Sequence, residues 1–189
     1  MNSEVESLQR KIVELRKQVV EARRRVPPTA IADYELKDAA GSPVRLSDLF
    51  GAKPDLMVIH NMGRRCPYCT LWADGLNGVA EHLADRAAFV LTSPDDPRTM
   101  REFAASRGWR FRTVSIQGTT FANDLGFEPE PGKFWPGVST FRKEADGTIA
   151  RIAHDHFGPG DDYCAVWHLL ELLQGGPSGW EPKYSYPKG

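Results

Sequence analysis

Leu56-Met57-Val58-Ile59 is a continuous apolar run bounded by Pro54 and polar residues, which suits a strand buried on both faces. Shortly beyond it comes Cys66-Pro67-Tyr68-Cys69, after which Trp72, Leu76, Val79 and Leu83 recur at helical intervals. The two thiols therefore stand where a buried strand gives way to a helix beginning at Cys66. Gly75 and Gly78 weaken that helix and predict a bend or a close contact there.

The rest of the chain alternates in the same manner. Residues 34–36 and 44–46 flank an Asp and Gly turn and read as a hairpin. Residues 87–92 and 111–115 read as strands. Residues 97–107 read as a helix capped by Asp95 or Asp96, with Pro97 in its first turn. Residues 138–142 and 148–153 flank Asp146-Gly147, a hairpin signal, and a last helix is expected over 161–174. The fold class is α/β, a mixed central sheet with helices on both faces. The order strand, Cys-bearing helix, strand, helix, hairpin, helix is that of the thioredoxin fold.

Residues 3–25 contain no Gly or Pro, and Val5, Leu8, Ile12, Leu15, Val19, Ala22 and Val26 form a heptad seam stopped by Pro27-Pro28. This is either an arm that makes a homodimer through residues 3–26 or a helix lying on its own domain. The expected organisation is a helical arm over 1–28, a thioredoxin-like domain over 29–176 and an irregular tail over 177–189.

Twenty-four Lys and Arg against 25 Asp and Glu leave a formal charge of −1, which gives no overall footprint for nucleic acid. With a mean hydropathy of −0.43 and no apolar run of roughly eighteen residues, no membrane partner is expected. The first residues lack the plan of a secretory signal, so a cytoplasmic location is expected. Three cysteines are too few for a disulfide scaffold.

A thiol at a helix N-terminus has a lowered pKa, because free amides and the helix dipole stabilise the thiolate. Arg64 and Arg65 add positive charge beside it. By position, Cys66 is the attacking thiolate and Cys69 the resolving thiol. Half of a zinc site is a competing reading, but Cys164 and the histidines stand at no recognisable spacing, so neither a metal nor a cofactor is expected. A reduced, inert pair is the other competitor.

Trp135-Pro136 immediately precedes the strand that begins near Val138. Thioredoxin-fold proteins place a cis-proline there to present backbone to an extended substrate, so Pro136 is expected to be cis. Arg65, Tyr68, Trp135 and Pro136 are the candidate substrate-binding residues. His60 ends the buried strand. It suits either a proton carrier for the resolving thiol or an imidazole satisfied by hydrogen bonds under the sheet edge. Trp72 reads as core, Asp74 as a hydrogen-bonding residue near the site, His154 and His156 as surface imidazoles, and Cys164 as a buried hydrophobe within the last helix.

Cys66-Pro67-Tyr68-Cys69 is similar to the glutaredoxin-type motif of the thioredoxin superfamily. The wider pattern runs through Arg24-Arg25-Val26-Pro27, Leu46-Ser47-Asp48-Leu49-Phe50, His60-Asn61-Met62, Leu71-Trp72-Ala73-Asp74-Gly75, Asp124-Leu125-Gly126 and Pro136-Gly137-Val138-Ser139. It resembles an uncharacterised bacterial thioredoxin-like family related to alkyl hydroperoxide reductase and thiol-specific antioxidant proteins. The family pattern differs in a longer loop before the first cysteine and in a Pro-Ser where this chain has Pro67-Tyr68.

The leading expectation is a thiol–disulfide oxidoreductase acting on a protein or small-molecule disulfide. A peroxiredoxin-like thiol peroxidase is the alternative: the N-terminal hairpin resembles theirs, but their set of Pro, Thr or Ser, Cys and Arg is absent. A non-catalytic binding module is the third reading.

Overall fold

A computed structural model describes residues 3–187. Helix α1 (Ser3–Arg25) leads to β1 (Thr29–Ile31), the hairpin β2 (Glu35–Lys37) and β3 (Pro43–Arg45), and a 3-10 turn over Leu46–Phe50. There follow β4 (Asp55–His60), α2 (Pro67–Arg86), β5 (Ala88–Ser93), α3 (Pro97–Arg107), β6 (Arg112–Ser115), the short α4 (Phe121–Asp124), β7 (Gly137–Lys143), β8 (Ile149–His156) and α5 (Ala165–Glu171). The strands form one sheet in the order β1-β8-β7-β4-β5-β6-β2-β3. Pairs β4–β5 and β5–β6 are parallel, which a helical crossover permits. The remaining pairs are antiparallel.

The pleat of β4 divides the core. Leu56 and Val58 enter a cluster with Phe50, Phe121, Phe127 and Phe141 on one face. Met57 and Ile59 point the other way, toward Trp72, Ala73, Phe157 and Trp167. Complete burial of such side chains stabilises by about 1.5–3 kcal/mol each. Thus α2 lies on the second face, anchored by Trp72, Ala73 and Ala80.

Several expected elements are modified by long-range contacts. β1 joins the sheet by pairing with the edge of β8, an element that three residues without alternation do not announce. Helix α5 covers less than the expected 161–174. Asp161 accepts the amides of Gly158, Tyr163 and Cys164, and this turn holds the chain out of helix until Ala165. Cys164 is consequently the cap of α5 and is buried. The close contact expected at Gly75 or Gly78 does not occur: both face solvent in a continuous helix, and an added Cβ would meet nothing within 4 Å.

α1 has no buried residue. Arg16 and Arg23 pair with Asp162 and Asp155 of the body. Ile12, Leu15 and Val19 look across a groove toward His156 and Tyr163. Among the described residues no helix is long and apolar enough to cross a membrane.

Candidate active site

β4 ends at His60, and a short loop then carries the chain to α2. Asn61 fastens this loop from inside, with its Oδ1 accepting the Gly63 amide at 2.7 Å. Asp95 fastens it from outside, accepting the Arg64 amide at 2.7 Å and the Ser93 hydroxyl at 3.0 Å. Gly63 has φ +96, and a Cβ there would stand 3.1 Å from the Asp95 carboxylate, so the close approach of loop and carboxylate requires glycine.

Cys66 occupies the N-cap of α2 with extended backbone, followed by Pro67 in the first turn. Its sulfur accepts the Cys69 amide at 3.1 Å, in the role an oxygen-bearing cap residue usually plays. Its carbonyl accepts the Thr70 amide and hydroxyl at 3.1 and 3.0 Å. Cys66 is half-buried, while Cys69 is 2% exposed. Both cysteines are free thiols.

These contacts make the two sulfurs unequal. The Cys69 thiol donates to Cys66, and together with the Cys69 and Tyr68 amides it lowers the Cys66 pKa to about 7 against an opposing effect of burial. The same hydrogen bond, then burial and the neighbouring thiolate, pushes Cys69 strongly upward. The pair therefore reads as one thiolate and one thiol. The lowering comes from hydrogen bonding rather than from Arg64 and Arg65, whose side chains are exposed.

Tyr68 is half-buried. Its ring is 6.1 Å from that of Trp167 and 6.3 Å from that of Trp72. Asp74 accepts from Trp109 Nε1 at 2.8 Å and pairs with Arg107.

His60 does not approach the cysteines. It points to the face of the sheet away from α2, stacked on Phe127 at 3.7 Å between ring centroids and 5.8 Å from Phe121. Its Nε2 meets the Ser139 hydroxyl at 2.9 Å, and Nδ1 has no hydrogen-bond partner. Burial first, then the charges of Arg151, His156 and His154, lowers its pKa to about 3, so it stays neutral.

Gly137 pairs with His60 across β7 and β4, which brings Trp135 and Pro136 to the end of the sheet from which the cysteine loop departs. Trp135 packs on His156 with ring centroids 5.1 Å apart and is 49% exposed. The expected cis bond at Pro136 is not present, as none of the described peptide bonds is cis. The Trp135 amide binds the Phe127 carbonyl at 2.8 Å and the Pro136 carbonyl accepts from Phe157 at 2.9 Å, so the segment runs on as extended chain into β7.

Among the described residues, no group of three or more His, Cys, Asp or Glu is placed to hold a metal ion. The sequence reading missed Asn61 and Asp95, whose roles depend on partners in β5 and the loop, and Tyr184, which is brought close by the C-terminal chain.

A mixed sheet with a dithiol at the N-terminus of the helix after its central strand defines a thioredoxin-fold protein. The chain belongs to the family described as bacterial protein of unknown function (DUF899), whose model matches residues 6–184. It is 27% identical over 135 residues to Peroxiredoxin Q, chloroplastic, of Gentiana triflora, covering 71% of this chain and 59% of that protein, less than two thirds of the relative's length. Among solved structures it is similar to the peroxidoxin BcpB of Mycobacterium tuberculosis, with a TM-score of 0.53 and 29% identity over 65% of this chain and 80% of that one. It is also similar in fold to a hypothetical protein from Sinorhizobium meliloti 1021, with a TM-score of 0.53 and 16% identity over 85% and 88% of the two chains.

Proposed function

We propose that the protein is a thiol peroxidase in which Cys66 meets the peroxide and Cys69 resolves the product. The observation that carries this reading is the pair of donors, the amide and thiol of Cys69, on a half-buried Cys66 sulfur at a helix N-terminus. Such a sulfur is substantially ionised at neutral pH, and the thiolate is the nucleophile. It attacks one peroxide oxygen, the O–O bond breaks, and the departing oxygen takes a proton to leave as water or an alcohol. Cys66 becomes a sulfenic acid. The Cys69 sulfur then attacks it, a disulfide forms, and the hydroxyl leaves as water with the thiol proton. An external thiol restores the dithiol by exchange. The likeness to peroxiredoxin Q and to the peroxidoxin BcpB supports this choice of oxidant.

Thiol–disulfide exchange is the second reading, favoured by one observation. Among the described residues no arginine or hydroxyl side chain hydrogen-bonds the Cys66 sulfur, so the donors that would cradle a peroxide are limited to Cys69 itself. The two readings share the same nucleophile and differ in the atom it attacks. Stopped-flow measurement of hydroperoxide consumption separates them: rapid turnover that vanishes in Cys66→Ser supports the peroxidase. Insulin reduction without peroxide turnover transfers the assignment to disulfide exchange.

A further inference from the structure

The segment after α5 is rich in Pro, Gly and aromatic residues, and the chemistry above gives it no role. It is nevertheless fixed at several points as it leads from α5, past the first turn of α2, to the end of α3. Trp180 rests on Trp167 with ring centroids 6.1 Å apart. Burial and then the charge of Glu181 raise the pKa of Tyr68, the residue between the cysteines. Pro182 is buried, although residues 183–187 around it are exposed. The Tyr184 carbonyl accepts Arg107 Nη1 at 2.7 Å, and Arg107 is itself held by Asp74 of α2. The Tyr184 ring stands edge-on to Phe103, with centroids 6.4 Å apart.

Arg64, Arg65, Phe103 and Tyr184 then line an open groove of about 450 Å³ beside the loop that delivers Cys66. The Tyr184 pKa is raised, first by burial and then by the charges of Cys66 and Cys69. The C-terminal chain thus lies beside the loop that carries Cys66, anchored by rings, a buried proline and a backbone hydrogen bond.

We propose that residues 180–186 form a fixed strap, with Tyr184 as its specificity-determining residue, that admits small solutes to Cys66 and turns away disulfides carried on folded proteins. Attack on a disulfide needs the third sulfur in line with the other two, and on a protein it brings a flanking backbone with it. A hydroperoxide presents one terminal oxygen. The identity of the small solute rests on the peroxidase reading, whereas the steric claim does not. Arg107 acts as a positioning residue that holds the Tyr184 backbone in place.

The test compares alkylation of Cys66 in the full chain by N-ethylmaleimide and by a maleimide coupled through a short linker to a folded carrier protein, read by mass spectrometry. The wild type reacts readily with the small reagent and slowly with the large one. Tyr184→Ala raises the large-reagent rate about tenfold, equivalent to about 1.4 kcal/mol of activation free energy, and changes the small-reagent rate less than about twofold. Arg107→Ala moves the ratio in the same direction, and Tyr184→Phe, which keeps the ring, retains the wild-type ratio. A wild type that reacts equally with both reagents overturns the strap, as does a ratio that neither Tyr184→Ala nor Arg107→Ala alters. Size discrimination without peroxide consumption defeats the peroxidase reading and leaves the strap standing. Peroxide consumption without discrimination does the reverse.

Discussion

The Cys69 amide donates a 3.1 Å hydrogen bond to the Cys66 sulfur, so the residue proposed to resolve the nucleophile also helps ionise it. The Cys69 thiol adds a second donor. In the proposed mechanism activation and resolution thus share one side chain, and removing it weakens the first as it abolishes the second.

With Cys66 lowered to about 7, its reactivity toward a small thiol reagent rises with pH through neutrality and levels off above it. The folded value lies below the ordinary thiol value of about 8.5, so the stabilisation linked to this group is present above that pH and is lost as pH falls through about 7. Cys69→Ala removes the thiol donor and keeps the amide. The Cys66 pKa then climbs toward the ordinary value, and its reactivity at pH 6.5 falls about tenfold. Ultraviolet titration of thiolate absorbance checks both statements.

His60 is a buried base whose folded pKa lies below its unfolded value of about 6.5. The unfolded chain takes up a proton that the folded chain refuses, so stability declines as pH falls from about 6.5 toward about 3, by up to about 4 kcal/mol at the acid end. Urea unfolding at a series of pH values shows this slope in the wild type. The double variant His60→Phe/Ser139→Ala, which removes the imidazole and its hydroxyl partner together, flattens it.

Gly137 has no room for a methyl group. A Cβ there would fall 2.3 Å from the Asp155 carbonyl and 2.5 Å from Phe127 Cε1. Gly137→Ala therefore displaces the Phe127 ring from its stack on His60 or forces β7 and β8 apart, with an expected loss of about 3 kcal/mol. A drop in the urea midpoint at unchanged slope is the measurement.

Asp95 holds the loop before Cys66 through the Arg64 amide and fills the space beside Gly63. Asp95→Ala costs about 1–2 kcal/mol of stability and leaves that loop less restrained. Hydrogen exchange at the amides of residues 63–66 quickens, while exchange in the strands of the sheet keeps its order.

Elements with a local signature were legible in the chain. The heptad run is α1, Asp146-Gly147 turns β7 into β8, Asp96 caps α3 through the Thr99 amide at 3.0 Å, and the cysteine pair opens α2. The unequal burial of Cys66 and Cys69 follows from their places on a helical turn. What escaped depends on partners far away in sequence. Asp161 shortens α5 by accepting backbone amides, Phe127 draws His60 to the face of the sheet remote from the cysteines, and Arg107 and Trp167 fix a tail whose composition alone reads as irregular chain. The position of Pro136 before a strand suggests a cis bond, whereas the bonds of Trp135 to Phe127 and of Phe157 to Pro136 keep it on an ordinary extended path.

The contact between the two sulfurs bears on endurance as well as reactivity. The Cys69 amide already bonds the Cys66 sulfur, and the two residues share the first turn of α2, so in the proposed chemistry the second thiol waits one helical turn from a sulfenic acid formed on the first. On the peroxidase reading, a resolving thiol held this near leaves little opening for overoxidation to the sulfinic acid.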